Sequence, residues 1–173
     1  MLNYNEKAIE QNIQYEFNNK SLIKQAMSHS SFINEMKKAD MESYERLEFL
    51  GDAVLELITS EFLYENYKDL PEGQLTKLRA SIVCEFTLSS VSEMLHLGEY
   101  VLLSKGEDLT GGRNRSSILC DLFEAVLGSE NPAKEMGLFD RKGSIETGKD
   151  ADLVLLDAEA NIVHVFARGK QVK

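Results

Sequence analysis

Four carboxylates, Glu45, Glu48, Asp52 and Glu56, lie in a largely apolar run of the chain, ERLEFLGDAVLEL at residues 45–57. On an α-helix, Glu45, Glu48 and Asp52 would stand at positions i, i+3 and i+7 and share one face. Most other residues of the run are apolar, which predicts a helix buried on nearly all sides. Because an unpaired charge in apolar surroundings is costly, these carboxylates must either reach a wet groove or hold a cation.

A second acidic pair, Asp121 and Glu124, lies in the apolar run SILCDLFEAVLG at residues 117–128. If the two helices pack together, Glu48 and Asp52 can face this pair. Like charges at close range raise one another's pKa, so four converging carboxylates need a cation to stay ionised. Oxygen ligands favour Mg²⁺ or Mn²⁺ over zinc. Such an ion can activate a water and stabilise the charge of a phosphoryl transition state.

Spacing alone leaves another interpretation open, in which the acidic residues of both segments are simply solvated helix faces. Two acidic pairs inside strongly apolar helices favour the metal site, but the pattern does not decide the matter.

The elements that must position these residues are helical as far as Gly128, because apolar residues recur at intervals of three and four. A break is predicted at Pro71–Gly73, and a polar loop is predicted over Gly106–Arg115. At this loop Lys105, Arg113 and Arg115 form a local basic cluster that could contact phosphates or simply be solvated. The predicted helices cover about residues 4–14, 21–28, 42–67, 74–95 and 115–127.

The character of the chain changes after Gly128. A short helix is predicted between Asn131 and Gly137, followed by two β-type runs, 152–157 and 162–167, that could pair as a hairpin. We therefore expect a mainly α protein with a helical domain at 1–128 and an appendage of one short helix and a β-hairpin at 129–173.

Composition limits the classes of partner and compartment. The 173-residue chain has a net charge of −10, which argues against binding a polyanion by bulk charge alone. Neither a secretory leader nor an apolar run long enough for a bilayer is visible, so we expect a soluble cytoplasmic protein with no membrane contact. Cys84 and Cys120 lie far apart and are predicted to be small core residues.

Several blocks along residues 1–128 resemble the ribonuclease III endonucleases in the same order. They are ERLEFLGDAVLEL, SHSSF at Ser28–Phe32, GQLTKLRASIV at Gly73–Val83, and SILCDLFEAVLG. The resemblance implies an all-helical domain that forms a homodimer and cleaves double-stranded RNA. It also implies Mg²⁺-dependent hydrolysis that leaves 5′-phosphate ends and short 3′ overhangs.

The resemblance also implies roles for individual residues. Glu48, Asp52, Asp121 and Glu124 match the family's metal-binding and catalytic carboxylates, and Asp52 and Glu124 match the two most critical for catalysis. Glu45 matches a further acidic residue whose role is less defined.

Two residues outside the acidic segments have alternative interpretations. His29, in the SHSSF block, is expected to be a helix-terminal or hydrogen-bonded residue rather than a catalytic one. Arg79 either reaches RNA or pairs with an acid across a helix interface, and we favour the second.

The likeness to ribonuclease III stops at Gly128, where family members normally continue the helix, add another and append an RNA-binding domain. Residues 129–173 instead resemble the C-terminal end of the amidohydrolase superfamily, most closely N-acetylglucosamine-6-phosphate deacetylase. The metal-binding histidines and catalytic aspartate of that superfamily's barrel have no counterpart here, so we expect a non-catalytic appendage. Two alternatives to an active nuclease remain: an idle RNA-binding or dimerisation module and, more remotely, a fragment of a sugar-phosphate deacetylase.

Overall fold

In a computed structural model, the chain divides into two units, Met1–Glu130 and Asn131–Lys173. The structure describes residues 4–37 and 41–129 and, further along, the backbone of three strands. The described helices of the first unit are α1 (Glu6–Ile13), α2 (Lys20–Ala26), α3 (Ser30–Met36), α4 (Glu45–Asn66), α5 (Glu72–Ile82), α6 (Glu85–Met94), α7 (Leu97–Tyr100), α8 (Lys105–Leu109) and α9 (Ser116–Gly128), with a 3-10 turn at Gly112–Asn114.

The three described strands of the second unit form one antiparallel sheet in the order β1-β2-β3. They are β1 (Leu153–Leu156), β2 (Ile162–Ala167) and β3 (Lys170–Gln171). The first two strands lie in the runs for which the sequence predicted extended structure. The short helix predicted at 131–137 lies outside the described residues.

The prediction of a mainly helical fold is confirmed, but the prediction of one helix over residues 74–95 is wrong. The chain breaks between α5 and α6, where Cys84 is extended at φ −85° and ψ 154°. The side chains of Cys84 and Thr87 both donate to the carbonyl oxygen of Ser81 near the end of α5. Such bonds satisfy a carbonyl that a continuing helix would otherwise use.

The predicted polar loop at 106–115 contains more structure than expected. Helix α8 begins after Ser104, whose hydroxyl accepts a hydrogen bond from the backbone N–H of Glu107. This is an N-cap, which favours helix formation even in a polar segment. The 3-10 turn at Gly112–Asn114 follows shortly after α8. The paired glycines at 111–112 predicted an irregular loop and indicated neither of these elements.

Helix α9 forms the centre of the helical unit and packs against both α4 and α6. Its residues Leu119, Leu122 and Ala125 are at most 2% exposed. The buried core comprises Ile9, Phe17, Ile23, Ala26, Met27, Tyr44, Leu47, Leu97, Val101, Leu103, Ile118, Leu119, Leu122 and Ala125.

The prediction that the helix at 45–57 is buried on nearly all sides is wrong for the single chain. Leu47 and Val54 of α4 are buried, but Phe49 is 81% exposed and Leu57 is 51% exposed. The spacing of apolar residues predicts which side chains favour burial. It does not predict whether the surface that buries them belongs to the same chain.

Across the part of the chain that the structure describes, none of the helices combines the length and the apolar character that crossing a membrane requires.

Candidate functional site

A direct backbone contact between α4 and α9 positions the two acidic pairs. A Cβ atom on Gly51 would lie 1.7 Å from the carbonyl oxygen of Glu124, and a Cβ on Gly128 would lie 2.0 Å from that of Leu47. No side chain larger than hydrogen fits at either position unless the helices separate. Gly51 immediately precedes Asp52, so the closest approach of the helices occurs beside the carboxylates.

Glu48 of α4 and Glu124 of α9 each carry the electrostatic signature of a shared acidic site. Burial raises the pKa of Glu48 to about 7, and Asp121 on the facing helix adds to the effect. Burial likewise raises the pKa of Glu124 to about 7, with Asp52 as the next cause. Each helix therefore acts on the carboxylates of the other, as four mutually repelling groups should.

None of these four groups takes part in an ion pair within residues 4–37 and 41–129, although His29 lowers the pKa of Asp121. The ion pairs described there involve other carboxylates. A half-buried acidic cluster with this deficit of positive charge fits a divalent cation, and carboxylate oxygens are the donors that Mg²⁺ and Mn²⁺ prefer. The residues present therefore fit the metal that the sequence implied.

Asp121 is held by a hydrogen bond from outside the acidic cluster. The Tyr44 hydroxyl donates to its Oδ2 at 3.1 Å. Burial and the neighbouring Asp121 raise the pKa of Tyr44 well above its usual value, so the hydroxyl keeps its proton and remains a donor. Burial is the main cause of the raised pKa of Asp121, and the Tyr44 hydrogen bond partly opposes it. No local sequence pattern indicates this contact, because 77 positions separate the two residues.

Cys120 lies against the acidic pair of α9. One ligand atom from each of Cys120, Asp121 and Glu124 lies within 4.8 Å of the others, and Glu48 and Asp52 are not members of this tight group. The thiol lies 3.7 Å from Glu124 Oε1, to which it donates. Burial, with Glu124 as the next cause, raises its pKa to about 12, so the group is a neutral donor. The prediction that both cysteines are small core residues is confirmed for Cys120 at 8% exposure, but Cys84 is only partly buried.

The spacing of Cys120 and Glu124, four positions apart on one helix, could have indicated their contact from the sequence.

The remaining predicted acidic residues lie at the edge of the site. Asp52 is exposed, and Glu48 is half-buried. Glu45 is exposed, accepts a hydrogen bond from the Ser43 hydroxyl at 3.1 Å, and contributes to the raised pKa of Glu48.

The predicted basic cluster is largely engaged within the protein. Arg113 donates to both carboxylate oxygens of Asp108, at 2.6 and 3.1 Å, and to the carbonyl oxygen of Val101 at 2.8 Å. Arg115 pairs with Glu107. Lys105 is exposed, and its backbone N–H donates to Glu35. Arg113 therefore has a structural explanation that does not need RNA.

His29 and Arg79 also take structural positions. His29 is the N-cap of α3, and its Nδ1 accepts from the backbone N–H of Ser31 at 3.0 Å, which confirms the helix-terminal interpretation. Arg79 links α5 to α4 as favoured, but its partner is the hydroxyl of Ser60 at 2.9 Å and not an acid.

Comparison with known proteins agrees with this helical arrangement. The ribonuclease-III-like family model matches residues 19–131. A second model, for the amidohydrolase family, matches residues 103–172 and overlaps the end of the first.

Over the aligned region, about half of the residues are identical between this chain and its curated relatives. Ribonuclease 3 of Oceanobacillus iheyensis is 52% identical over 123 residues, which are 71% of this chain and 54% of the relative. Ribonuclease 3 of Bacillus licheniformis is 54% identical over 123 residues, which are 71% of this chain and 49% of the relative. The chain thus spans about half the length of these relatives.

A solved structure shows the same fold. The nuclease domain of ribonuclease III from Campylobacter jejuni has a TM-score of 0.69 at 40% sequence identity and covers 78% of this chain and 89% of that one. Its description reports structural flexibility in a region involved in dimer formation. With 113 consecutive residues matched by the family model, this chain belongs to the ribonuclease-III-like family.

Proposed function

We propose that the protein is a divalent-metal-dependent endoribonuclease that hydrolyses phosphodiester bonds in double-stranded RNA. The observation that carries the proposal is the facing of two acidic pairs across the glycine contact of α4 and α9, in a chain whose curated relatives are ribonucleases 3. The cluster supplies oxygen ligands, and none of its carboxylates takes part in an ion pair among the described residues. A phosphodiester substrate is itself anionic, so a metal ion is needed between the two.

Glu48, Asp52, Asp121 and Glu124 would hold the ion, which we propose to be Mg²⁺ with Mn²⁺ as a substitute. When bound, the ion would supply an activated water and stabilise negative charge on the phosphoryl group. Glu48 and Glu124 must give up their protons to serve as ligands, and a pKa of about 7 for each allows this near neutral pH. Asp52 and Glu124 are proposed as the two most critical groups, with Glu45 as an accessory one.

The substrate would be recognised mainly by the shape and backbone of the A-form duplex, whose deep major groove hides the base edges. With a net charge of −10, the chain cannot attract RNA through its overall field. Among the predicted basic residues, Lys105 is the one whose side chain has no described partner, and we propose it as a phosphate contact. Binding should be weak and fall steeply with salt.

We also propose a homodimer formed through the uncovered apolar surface of α4, α5 and α6. The exposed fractions of Phe49 and Phe86, each 81%, are unusual for large apolar side chains in an isolated domain. The relative from Campylobacter jejuni is described as having a region involved in dimer formation. The other large apolar residues exposed on these helices are Leu50, Leu57, Phe62, Tyr64, Ile82 and Met94.

The comparisons do not favour an idle RNA-binding or dimerisation module, because the curated relatives carry the name of the nuclease. We propose that residues 129–173 are a non-catalytic appendage, since the sequence lacks the metal-binding histidines of the amidohydrolase barrel. RNA is made and processed inside cells, so we propose a cytoplasmic location.

The decisive test incubates the purified chain with a long RNA duplex and Mg²⁺, beside Glu124→Gln. We expect the parent to cut the duplex and the variant to lose activity by about 100-fold, since the substitution removes the negative charge of a metal ligand. Glu93→Gln, an exposed neutralisation on α6, should cut at the parental rate and controls for the change in net charge. A folded parent that leaves the duplex intact in Mg²⁺ and in Mn²⁺ would overturn the proposal.

A further inference from the structure

Tyr44 connects the two acidic helices without belonging to either acidic pair. It directly precedes α4, and its hydroxyl donates to Asp121 on α9. The contact uses Oδ2 of the carboxylate, and each carboxylate has a second oxygen with acceptor capacity of its own. A neutral hydroxyl on one oxygen therefore restricts rotation of the carboxylate while the other oxygen can face a cation.

The hydroxyl can fix Asp121 because Tyr44 itself is fixed. The residue is 2% exposed, and its backbone N–H donates to the carbonyl oxygen of Ser28 at 2.9 Å. Its ring lies against the ring of His29, with centroids 5.6 Å apart and an interplanar angle of 60°. The ring of His29 is held in turn by Ser31, whose hydroxyl lies 2.7 Å from Nδ1.

A continuous series of contacts thus links the start of α3 to the acidic site: Ser31 contacts His29, the ring of His29 packs on Tyr44, and Tyr44 donates to Asp121. Its support comes from segments that lie outside the acidic cluster, so the orientation of Asp121 does not depend on α9 alone. Partners of this kind, which hydrogen-bond a metal ligand, commonly tune metal affinity.

We propose that Tyr44 is a positioning residue, which orients Asp121 as a divalent-metal ligand through the hydrogen bond to Oδ2. The proposal rests on the proposed function only in assuming that the acidic cluster binds a divalent metal. The SHSSF block, from which Ser28, His29 and Ser31 come, then serves as the support of this residue and not as a catalytic element.

The test compares the parent, Tyr44→Phe and Tyr4→Phe. The first substitution removes the hydroxyl and keeps the ring that packs on His29. The second is a matched control, because Tyr4 is partly buried and its hydroxyl has no hydrogen-bond partner among the described residues. It makes the same chemical change without breaking a hydrogen bond. Binding of MnCl₂ is measured by calorimetry, and cleavage of a long RNA duplex is measured over a range of MgCl₂ concentrations.

For Tyr44→Phe we expect the Mn²⁺ dissociation constant and the half-saturating Mg²⁺ concentration to rise by about 10-fold or more. The cleavage rate at saturating Mg²⁺ should return to near the parental rate, because the ligand is present but poorly oriented. A merely structural role would lower the melting temperature and the active fraction without moving the half-saturating concentration. Tyr4→Phe should match the parent in both measurements.

A rescue variant covers the case in which Tyr44→Phe folds poorly. Incorporation of 3-fluorotyrosine at position 44 retains both ring and hydroxyl, and we expect it to keep the parental Mn²⁺ affinity. A loss of affinity in this variant would overturn the proposal, because the donor is still present.

Unchanged Mn²⁺ affinity in folded Tyr44→Phe would overturn the proposed role of Tyr44 while leaving the proposed nuclease intact. A parent that binds Mn²⁺ but cuts no duplex would overturn the nuclease, and the binding measurement would still decide the role of Tyr44. A parent that binds no Mn²⁺ would overturn both.

Discussion

The two faces of α4 both carry apolar residues, but one face is buried and the other is exposed to solvent. On one face Gly51 lets the backbone touch α9, and Leu47 and Val54 are buried beside it. On the other, Phe49 and Leu57 are mostly open to solvent. The buried face packs closely against α9 of the same chain. The exposed face presents apolar side chains that no described residue covers.

This difference separates two requirements of the proposed nuclease. The buried face sets the distance between the acidic pairs, so the site is determined by packing within one chain. The exposed apolar residues Phe49 and Leu57 are not members of the acidic cluster, and they match a surface that a second copy would cover. Changes on the two faces should therefore have different consequences, folding and site geometry on one side and association on the other.

The largest effect is expected from Gly51→Ala. The added methyl would meet the backbone of Glu124, which cannot rotate away as a side chain can. We expect the free energy of unfolding to fall by about 3 kcal/mol, at the upper end of the usual cost of overpacking. Gly73→Ala on α5 is the control, since a Cβ there meets nothing within 4 Å. Urea denaturation measures both, and equal stability of the two variants would contradict the close contact.

A smaller effect, limited to association, is expected from Phe49→Ser on the exposed face. Truncating a buried interface aromatic often costs 2 kcal/mol or more, which corresponds to a dimer dissociation constant raised by about 30-fold. The matched control is Leu109→Ser, which removes an 88% exposed apolar side chain from α8. Sedimentation equilibrium measures the dissociation constants, and a parent that stays monomeric at high concentration would contradict the proposed interface.

The smallest effect is a pH dependence of stability that arises from Glu48 and Glu124. Their pKa is raised from 4.5 to about 7, so without metal the folded chain binds more protons than the unfolded chain between these values. The free energy of unfolding contributed by these groups therefore falls as the pH rises from about 4.5 to about 7 and stays low above it.

Neutralising one of these groups should remove part of that loss. In metal-free buffer at pH 8 we expect Glu124→Gln to melt about 2–4 °C above the parent, and the difference should vanish near pH 4.5. Saturating Mg²⁺ should reverse the order at pH 8 by stabilising only the parent. Thermal melts followed by circular dichroism measure both melting temperatures. In metal-free buffer at pH 8, a parent that melts above the variant would contradict the proposed repulsion among the carboxylates.

Sequence patterns were sufficient for the helical class and for locating the two acidic pairs on helices, because helical periodicity and carboxylates in apolar runs are local signals. They were insufficient for the break at Cys84, which depends on side-chain hydrogen bonds to Ser81 without a glycine or proline to mark it. The link from Tyr44 to Asp121 was also invisible, because it exists only when distant segments meet.

The opposite environments of the two faces of α4 illustrate the same limit. Phe49 and Val54 are both apolar, and nothing local distinguishes the residue that packs within the chain from the one that is 81% exposed. Gly51 did carry a signal, since a glycine inside a helix commonly marks a close approach, but its partner on α9 could be identified only from the fold.

The central claim, that α4 and α9 together build a divalent-metal site, is tested most directly by anomalous diffraction at the manganese edge from crystals grown with MnCl₂. We expect a manganese peak among Glu48, Asp52, Asp121 and Glu124, with ligand oxygens from both helices. Manganese bound only elsewhere, or bound by one helix alone, would contradict it.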